Sequence, residues 1–62
     1  MLGTDKVKEI LKKFGPQSVE EIAEKIADST GKACDTADVE DALDKLEQVN
    51  EVSFQGIVYA IL

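Results

Sequence analysis

The sequence has no histidine and no arginine, and it has only one cysteine among its 62 residues. With Cys34 alone, an internal disulfide is excluded, and a single thiol is typical of a reducing compartment. A reactive thiol needs a neighbouring base or cation to lower its pKa, and no histidine is present to act as that base. The carboxylates form no recognisable acid–base or metal-binding motif. We therefore expect a protein that is not an enzyme, with no cofactor and no metal site.

Long apolar runs are also missing. The longest, Ile57–Leu62, has six residues, whereas a membrane-spanning helix needs about 20. The first four residues lack the charged leader and apolar run of a secretory signal. We therefore expect a cytoplasmic protein that makes no use of a membrane. The length predicts one domain, residues 1–62, with a thin core, because a chain of this size buries only about 60 % of its unfolded surface.

Positive charge is scarce and unevenly placed. Thirteen acids face seven lysines, for a net charge of −6. Residues 1–14 carry four lysines against two acids, a balance of +2, and residues 15–62 carry three lysines against eleven acids, a balance of −8. Such a charge favours solubility and opposes binding to phosphate backbones. The first helix is the one basic element, and it is a possible contact for nucleic acid or an acidic partner. Its lysines are Lys6, Lys8, Lys12 and Lys13.

Apolar residues at helical spacing predict three helices. The first begins at a Thr4 N-cap, carries a stripe ending at Phe14, and ends at Gly15-Pro16. A capping box formed by Ser18 and Glu21 starts the second helix, which runs to about Ser29. A loop follows to Asp35. The third helix is predicted from Thr36 to about Asn50, with its apolar stripe at Val39, Ala42, Leu43, Leu46 and Val49.

The last twelve residues predict a β-hairpin, with strands at about Glu51–Phe54 and Ile57–Leu62. A two-residue turn at Gln55-Gly56 gives Gly56 a positive φ. That register pairs Phe54 with Ile57, Val52 with Tyr59 and Asn50 with Ile61. Alternation then places Val52, Phe54, Ile57, Tyr59 and Ile61 on one face, toward the core. Gln17 to Val19 is expected to pair briefly with this hairpin.

The order of helix, helix, helix and hairpin resembles the winged-helix-turn-helix superfamily. The matching residues are Ser18–Ala23, the Val39, Ala42, Leu43 and Leu46 stripe, and the Val52–Tyr59 hairpin. The predicted fold is thus α+β, a three-helix winged-helix-like domain with a C-terminal β-hairpin. The resemblance implies a third helix that commonly enters the DNA major groove and a hairpin wing that contacts DNA, although other members use these surfaces to bind proteins.

The third helix departs from the DNA-binding pattern. Its residues outside the apolar stripe include one lysine and five acids, namely Asp38, Glu40, Asp41, Asp44 and Glu47. DNA contacts use cationic or neutral donors, so this surface would repel the phosphate backbone. We therefore expect a protein-protein interaction module, as a regulatory subunit or a homodimer. A small DNA-binding regulator is the alternative, and an acyl carrier-like protein, suggested by Asp28-Ser29, is a weaker one.

The final strand suggests where a partner binds. Its second face consists of Val58, Ala60 and Leu62, which is unusually apolar for a face in contact with water. An exposed apolar patch tends to mark a partner site. Two explanations stay open: a partner covers these three residues, or Met1 and Leu2 fold over them.

Overall fold

A computed structural model describes residues 3–62 as three helices followed by a two-stranded antiparallel hairpin. The helices are α1 (Thr4–Phe14), α2 (Val19–Thr30) and α3 (Thr36–Gln48), and the strands are β1 (Val52–Phe54) and β2 (Tyr59–Ile61). The helices pack pairwise, α1 also packs on β2, and α3 packs on β1. The α+β fold class with a C-terminal hairpin is confirmed.

The capping box of α2 is present as predicted. The Glu21 N–H donates to Ser18 Oγ at 3.3 Å, and the Ser18 N–H donates to Glu21 Oε1 at 3.0 Å. The bond from the Ser18 N–H, followed by the interaction with the Ser18 hydroxyl, holds the pKa of the Glu21 carboxyl below its ordinary value. The predicted Thr4 cap is wrong by one residue: Gly3 is the extended N-cap residue, and Thr4 is already helical.

A left-handed turn ends α3 and directs the chain into β1. Asn50 has a φ of 60°, a conformation that asparagine tolerates better than most residues. Its N–H donates to the Glu47 carbonyl at 3.0 Å, and the Glu51 N–H donates to the Leu46 carbonyl at 2.9 Å. This pattern is a Schellman motif, which satisfies two of the last free carbonyls of the helix. The helix therefore ends at Gln48, two residues before the predicted end.

The core is formed by the apolar faces of all three helices and by β1. The largest fully buried side chains are Ile22, Leu43, Leu46, Val7, Val39 and Val52. Two members of the predicted stripes lie outside it. Val49 is 61 % exposed because it is the C-cap of α3, and Phe14 is 49 % exposed at the last position of α1.

The hairpin register differs from the predicted one by two residues. The Gln55 N–H donates to the Val58 carbonyl at 2.7 Å, so the two-residue turn is Gly56-Ile57 and not Gln55-Gly56. The observed pairs are Val52 with Ile61, Ser53 with Ala60 and Phe54 with Tyr59. Moving the turn by one residue shifts the pairing by two, which keeps the alternation of faces intact. The positive φ of Gly56 is confirmed at 92°.

Two consequences of this register correct the predicted hairpin faces. Ile57 lies in the turn and is 80 % exposed, so its assignment to the core is wrong. Ala60 is only 8 % exposed, although it lies on the face opposite to Tyr59 and Ile61. The predicted pairing with the segment after α1 is confirmed at Gln17, whose N–H and carbonyl both bond to the backbone of Tyr59, at 3.0 and 2.7 Å.

Candidate functional site

The three residues predicted to bind a partner do not form one exposed stripe. Val58 is half-buried, Ala60 is buried, and Leu62 is 70 % exposed. Ala60 is only 8 % exposed and offers almost no contact area to a partner. The alternative cover, Met1 and Leu2, lies outside the described residues. A partner role for Val58 and Leu62 stays a prediction.

An acidic stripe runs along α3 beside the hairpin. It consists of Glu40, Asp44 and Glu47, which are all exposed and which recur at i, i+4 and i+7 on one side of the helix. The negative charges of these carboxylates act on the pKa of Tyr59 in β2. Burial first, and then the negative charges of Glu47, Glu40 and Asp44, raise the pKa of the Tyr59 hydroxyl. Because α3 also packs on β1, the stripe lies on a helix that adjoins the hairpin.

The hairpin contributes an aromatic pair to this surface, Phe54 and Tyr59. These residues are cross-strand partners, and their ring centroids lie 4.8 Å apart at an interplanar angle of 45°. Phe54 keeps 50 % of its surface exposed, and Tyr59 is half-buried. The two backbone bonds to Gln17 hold Tyr59 in place from the other side of β2. The acidic stripe and the aromatic pair are called the acid–aromatic surface below.

The charge of the acidic stripe is not neutralised within the described residues. Among residues 3–62 the ion pairs are Lys8 with Glu51, at 2.6 Å, and Lys45 with Asp41, at 3.5 Å. Lys45 is the single lysine of α3, and its partner Asp41 lies outside the stripe. The stripe therefore presents three negative charges on the helix that packs on the hairpin, where Phe54 is half-exposed.

The four lysines of α1 do not form a single basic patch. Lys8 points toward the start of β1, where its hydrogen bond and its attraction to Glu51 raise its pKa. Lys12 is exposed. The other two lysines, Lys6 and Lys13, line a different part of the surface between α1 and α2. The structure thus divides the predicted basic element into separate contacts.

The α1–α2 groove, with a volume of about 320 Å³, is a concave feature of the described chain. Lys6 Nζ donates to Ser29 Oγ at 2.9 Å across it. Phe14 lies at one end, with Lys13 Nζ 5.5 Å and Lys25 Nζ 5.0 Å from the ring centroid, which are cation–π distances. The lysine side chains are thus already engaged by groups of the chain itself.

Neither reactive side chain that the sequence suggests is in an activated setting. Ser29 lies in the last turn of α2, whereas the serine of an acyl carrier-like motif is expected to begin a helix. Burial first, followed by the negative charges of Asp38 and Asp35, raises the pKa of the Cys34 thiol. A raised pKa keeps the thiol protonated and less nucleophilic.

The described residues contain neither a metal-binding cluster nor a helix able to cross a membrane. No group of three or more His, Cys, Asp and Glu side chains between residues 3 and 62 is arranged to hold a metal ion. No helix of that range has the length and apolarity needed to cross a membrane.

Sequence reasoning did not predict the acid–aromatic surface as a site. Alternation with Val52 assigned both Phe54 and Tyr59 to the core. Tyr59 does pack against the core, but the assignment of Phe54 is wrong, because it is 50 % exposed at the end of β1. The acids of α3 were considered only as an obstacle to DNA. The sequence pattern that could have indicated this surface is an acidic helix face followed within a few residues by aromatic residues next to a tight turn. No protein-family model, curated protein or solved structure matches the chain.

Proposed function

We propose that this chain is a winged-helix-like module that binds another protein, and that it does so through the acid–aromatic surface. The observation that carries the proposal is the position of three carboxylates, none of them in an ion pair among residues 3–62, on the helix that packs on the hairpin with its half-exposed Phe54. Exposed aromatic residues are enriched in protein interfaces because they bury a large area with few rotatable bonds. The carboxylates add selectivity for a partner by their charge.

The charge of α3 argues against the DNA-binding alternative. The third helix commonly enters the DNA major groove in the winged-helix-turn-helix superfamily, which this chain resembles. Its exposed side chains then lie close to the phosphates. Here those side chains include five acids, and the single lysine is paired with Asp41 at 3.5 Å. Phosphate binding gains its affinity from cations that displace counterions. A helix with this composition repels the backbone instead.

Fluorescence anisotropy with a labelled DNA duplex at two salt concentrations tests this choice. We expect a dissociation constant no tighter than about 10⁻⁴ M at physiological salt, the weak end of non-specific binding. A triple variant, Glu40→Gln with Asp44→Asn and Glu47→Gln, serves as a comparison because it removes three of the five negative charges of α3 without altering the aromatic pair.

Micromolar binding that weakens steeply with salt would overturn the proposed function. The α1–α2 groove would then be the surface to investigate, because its rim carries Lys6, Lys13 and Lys25. If DNA bound through that groove, the triple variant on α3 would change the affinity only slightly, whereas Lys13→Gln and Lys25→Gln would weaken it.

A further inference from the structure

We infer that the acid–aromatic surface accepts a basic, partly apolar segment of a partner protein, in which arginine or lysine side chains alternate with apolar ones. This inference rests on the proposed function and adds the chemistry of the partner. It follows from the charge of the stripe, from the spacing of its carboxylates and from the exposure of the aromatic pair.

The spacing of the stripe sets the size of the complementary segment. Glu40 and Glu47 are seven residues apart on α3, which corresponds to about 10 Å along the helix axis at 1.5 Å per residue. Three alternate residues of an extended segment span about 13 Å at 3.3 Å per residue. Two or three cations on one side of such a segment therefore match the three carboxylates.

The aromatic pair favours the same partner. Phe54 presents half of its surface to solvent, and an aromatic face attracts a cation that lies over it. A guanidinium group both stacks on such a ring and bonds to a carboxylate in a fork. The methylene groups of the same arginine side chain cover part of the remaining surface of Phe54. Arginine is therefore the expected cation nearest to the hairpin.

Two other occupants fit less well. A second copy of the chain that used the same surface would bring two acidic stripes together, and the net charge of −6 on each copy opposes such a dimer. The stripe would repel an acidic segment. The α1–α2 groove offers such a segment three lysines, but two acids also line it, which weakens the attraction; the lysines are Lys6, Lys13 and Lys25, and the acids are Glu9 and Asp28.

The test uses the full chain, uniformly labelled with ¹⁵N, and two synthetic hexapeptides. One alternates arginine and leucine, and the other alternates glutamate and leucine. We expect the arginine–leucine peptide to bind and to shift the amide signals of α3 and of the hairpin most. Removal of the three charges by the triple variant should weaken binding about tenfold, given the modest worth of each exposed ion pair.

A matched control removes the same charge from another helix. Glu20, Glu24 and Asp28 are exposed on α2 at i, i+4 and i+8, and none of them is among the charges that act on Tyr59. Their replacement by Gln, Gln and Asn should change the affinity less than twofold, because exposed charges beyond about 8–10 Å are largely screened by salt.

The aromatic contribution has its own matched pair of variants. Phe54 and Phe14 are 50 % and 49 % exposed, respectively, and lie on different parts of the surface. Phe54→Ala should weaken binding of the arginine–leucine peptide severalfold, and Phe14→Ala should leave it unchanged. Both variants should stay folded, because neither ring belongs to the buried core.

The possible outcomes separate the inference from the proposed function. Tighter binding of the glutamate–leucine peptide than of the arginine–leucine peptide would overturn the basic-segment inference while leaving protein binding in place. An equal loss of affinity in the α3 and α2 triple variants would do the same. No binding of either peptide at millimolar concentration would also overturn it. Tight DNA binding would overturn the proposed function, whichever peptide binds.

Discussion

Gly56 provides a direct test of the hairpin turn. Its φ is 92°, a conformation that L-residues with a Cβ adopt only with strain. A methyl group added at this position would meet no heavy atom within 4 Å. Any loss of stability in Gly56→Ala therefore comes from the backbone conformation and not from a steric clash with neighbouring residues.

The magnitude follows from two opposing effects. The left-handed conformation costs an L-residue roughly 1–2 kcal/mol, and the smaller entropy of the unfolded chain returns about 0.4–1 kcal/mol. The net loss is about 1 kcal/mol, out of a stability of roughly 3–9 kcal/mol for a chain of this length. For a domain of this size, the melting temperature should fall by about 4–8 °C.

Chemical synthesis of the chain allows a sharper comparison. A D-alanine at position 56 prefers the positive φ and keeps the entropic gain, so it should raise the melting temperature by a few degrees. Gln55→Ala, in the same loop but without a positive φ, should change the stability by less than about 0.5 kcal/mol. Thermal unfolding followed by circular dichroism measures all three. Equal melting temperatures for the L-alanine and D-alanine chains would refute the turn geometry.

Three further predictions concern the core, a helix start and the acid–aromatic surface. Leu43 is fully buried, so Leu43→Ala should cost about 2–5 kcal/mol and leave much of the chain unfolded by circular dichroism, while Leu62→Ala should stay folded. Ser18→Ala removes the capping box and should cost about 1 kcal/mol in a urea titration; no change in midpoint would contradict the role of the cap. The pKa of Tyr59 is raised above its ordinary value of 10.0, so its contribution to stability is present below pH 10 and is lost as the pH rises through the folded-state pKa. Tyrosinate absorbance reports this one tyrosine, and Glu47→Gln should lower its pKa; an unchanged value would contradict the proximity of α3 and the hairpin.

The helices could be predicted from the sequence because their signals are local. The Ser18 and Glu21 side chains satisfy backbone donors within one turn, so the start of α2 depends on four consecutive residues. The end of α1 depends on Gly15, which adopts a φ of 81°. The apolar stripes then identify the buried faces, and they failed only at Phe14 and Val49, where a helix ends and the periodic pattern no longer describes the direction of the side chain.

The register of the hairpin could not be predicted from the alternation of apolar residues. Alternation with a period of two assigns residues to faces, and every register that differs by two residues satisfies the same alternation. The choice between Gln55-Gly56 and Gly56-Ile57 depends on where the positive φ fits in the turn, together with the Gln17 backbone bonds that fix Tyr59. Those bonds join residues 42 positions apart, and no local pattern encodes them.

The amino-acid order was sufficient for the fold class, the start of α2, the sign of the charge on α3 and the positive φ of Gly56, because each depends on residues within a few positions of one another. The acid–aromatic surface required the folded chain. α3 and the hairpin become neighbours because Asn50 turns the chain back at the end of α3, and β2 then returns along β1. The exposure of Phe54 and Ile57 and the burial of Ala60 depend on which elements pack around the hairpin, a property of the whole molecule that alternation along one strand does not specify.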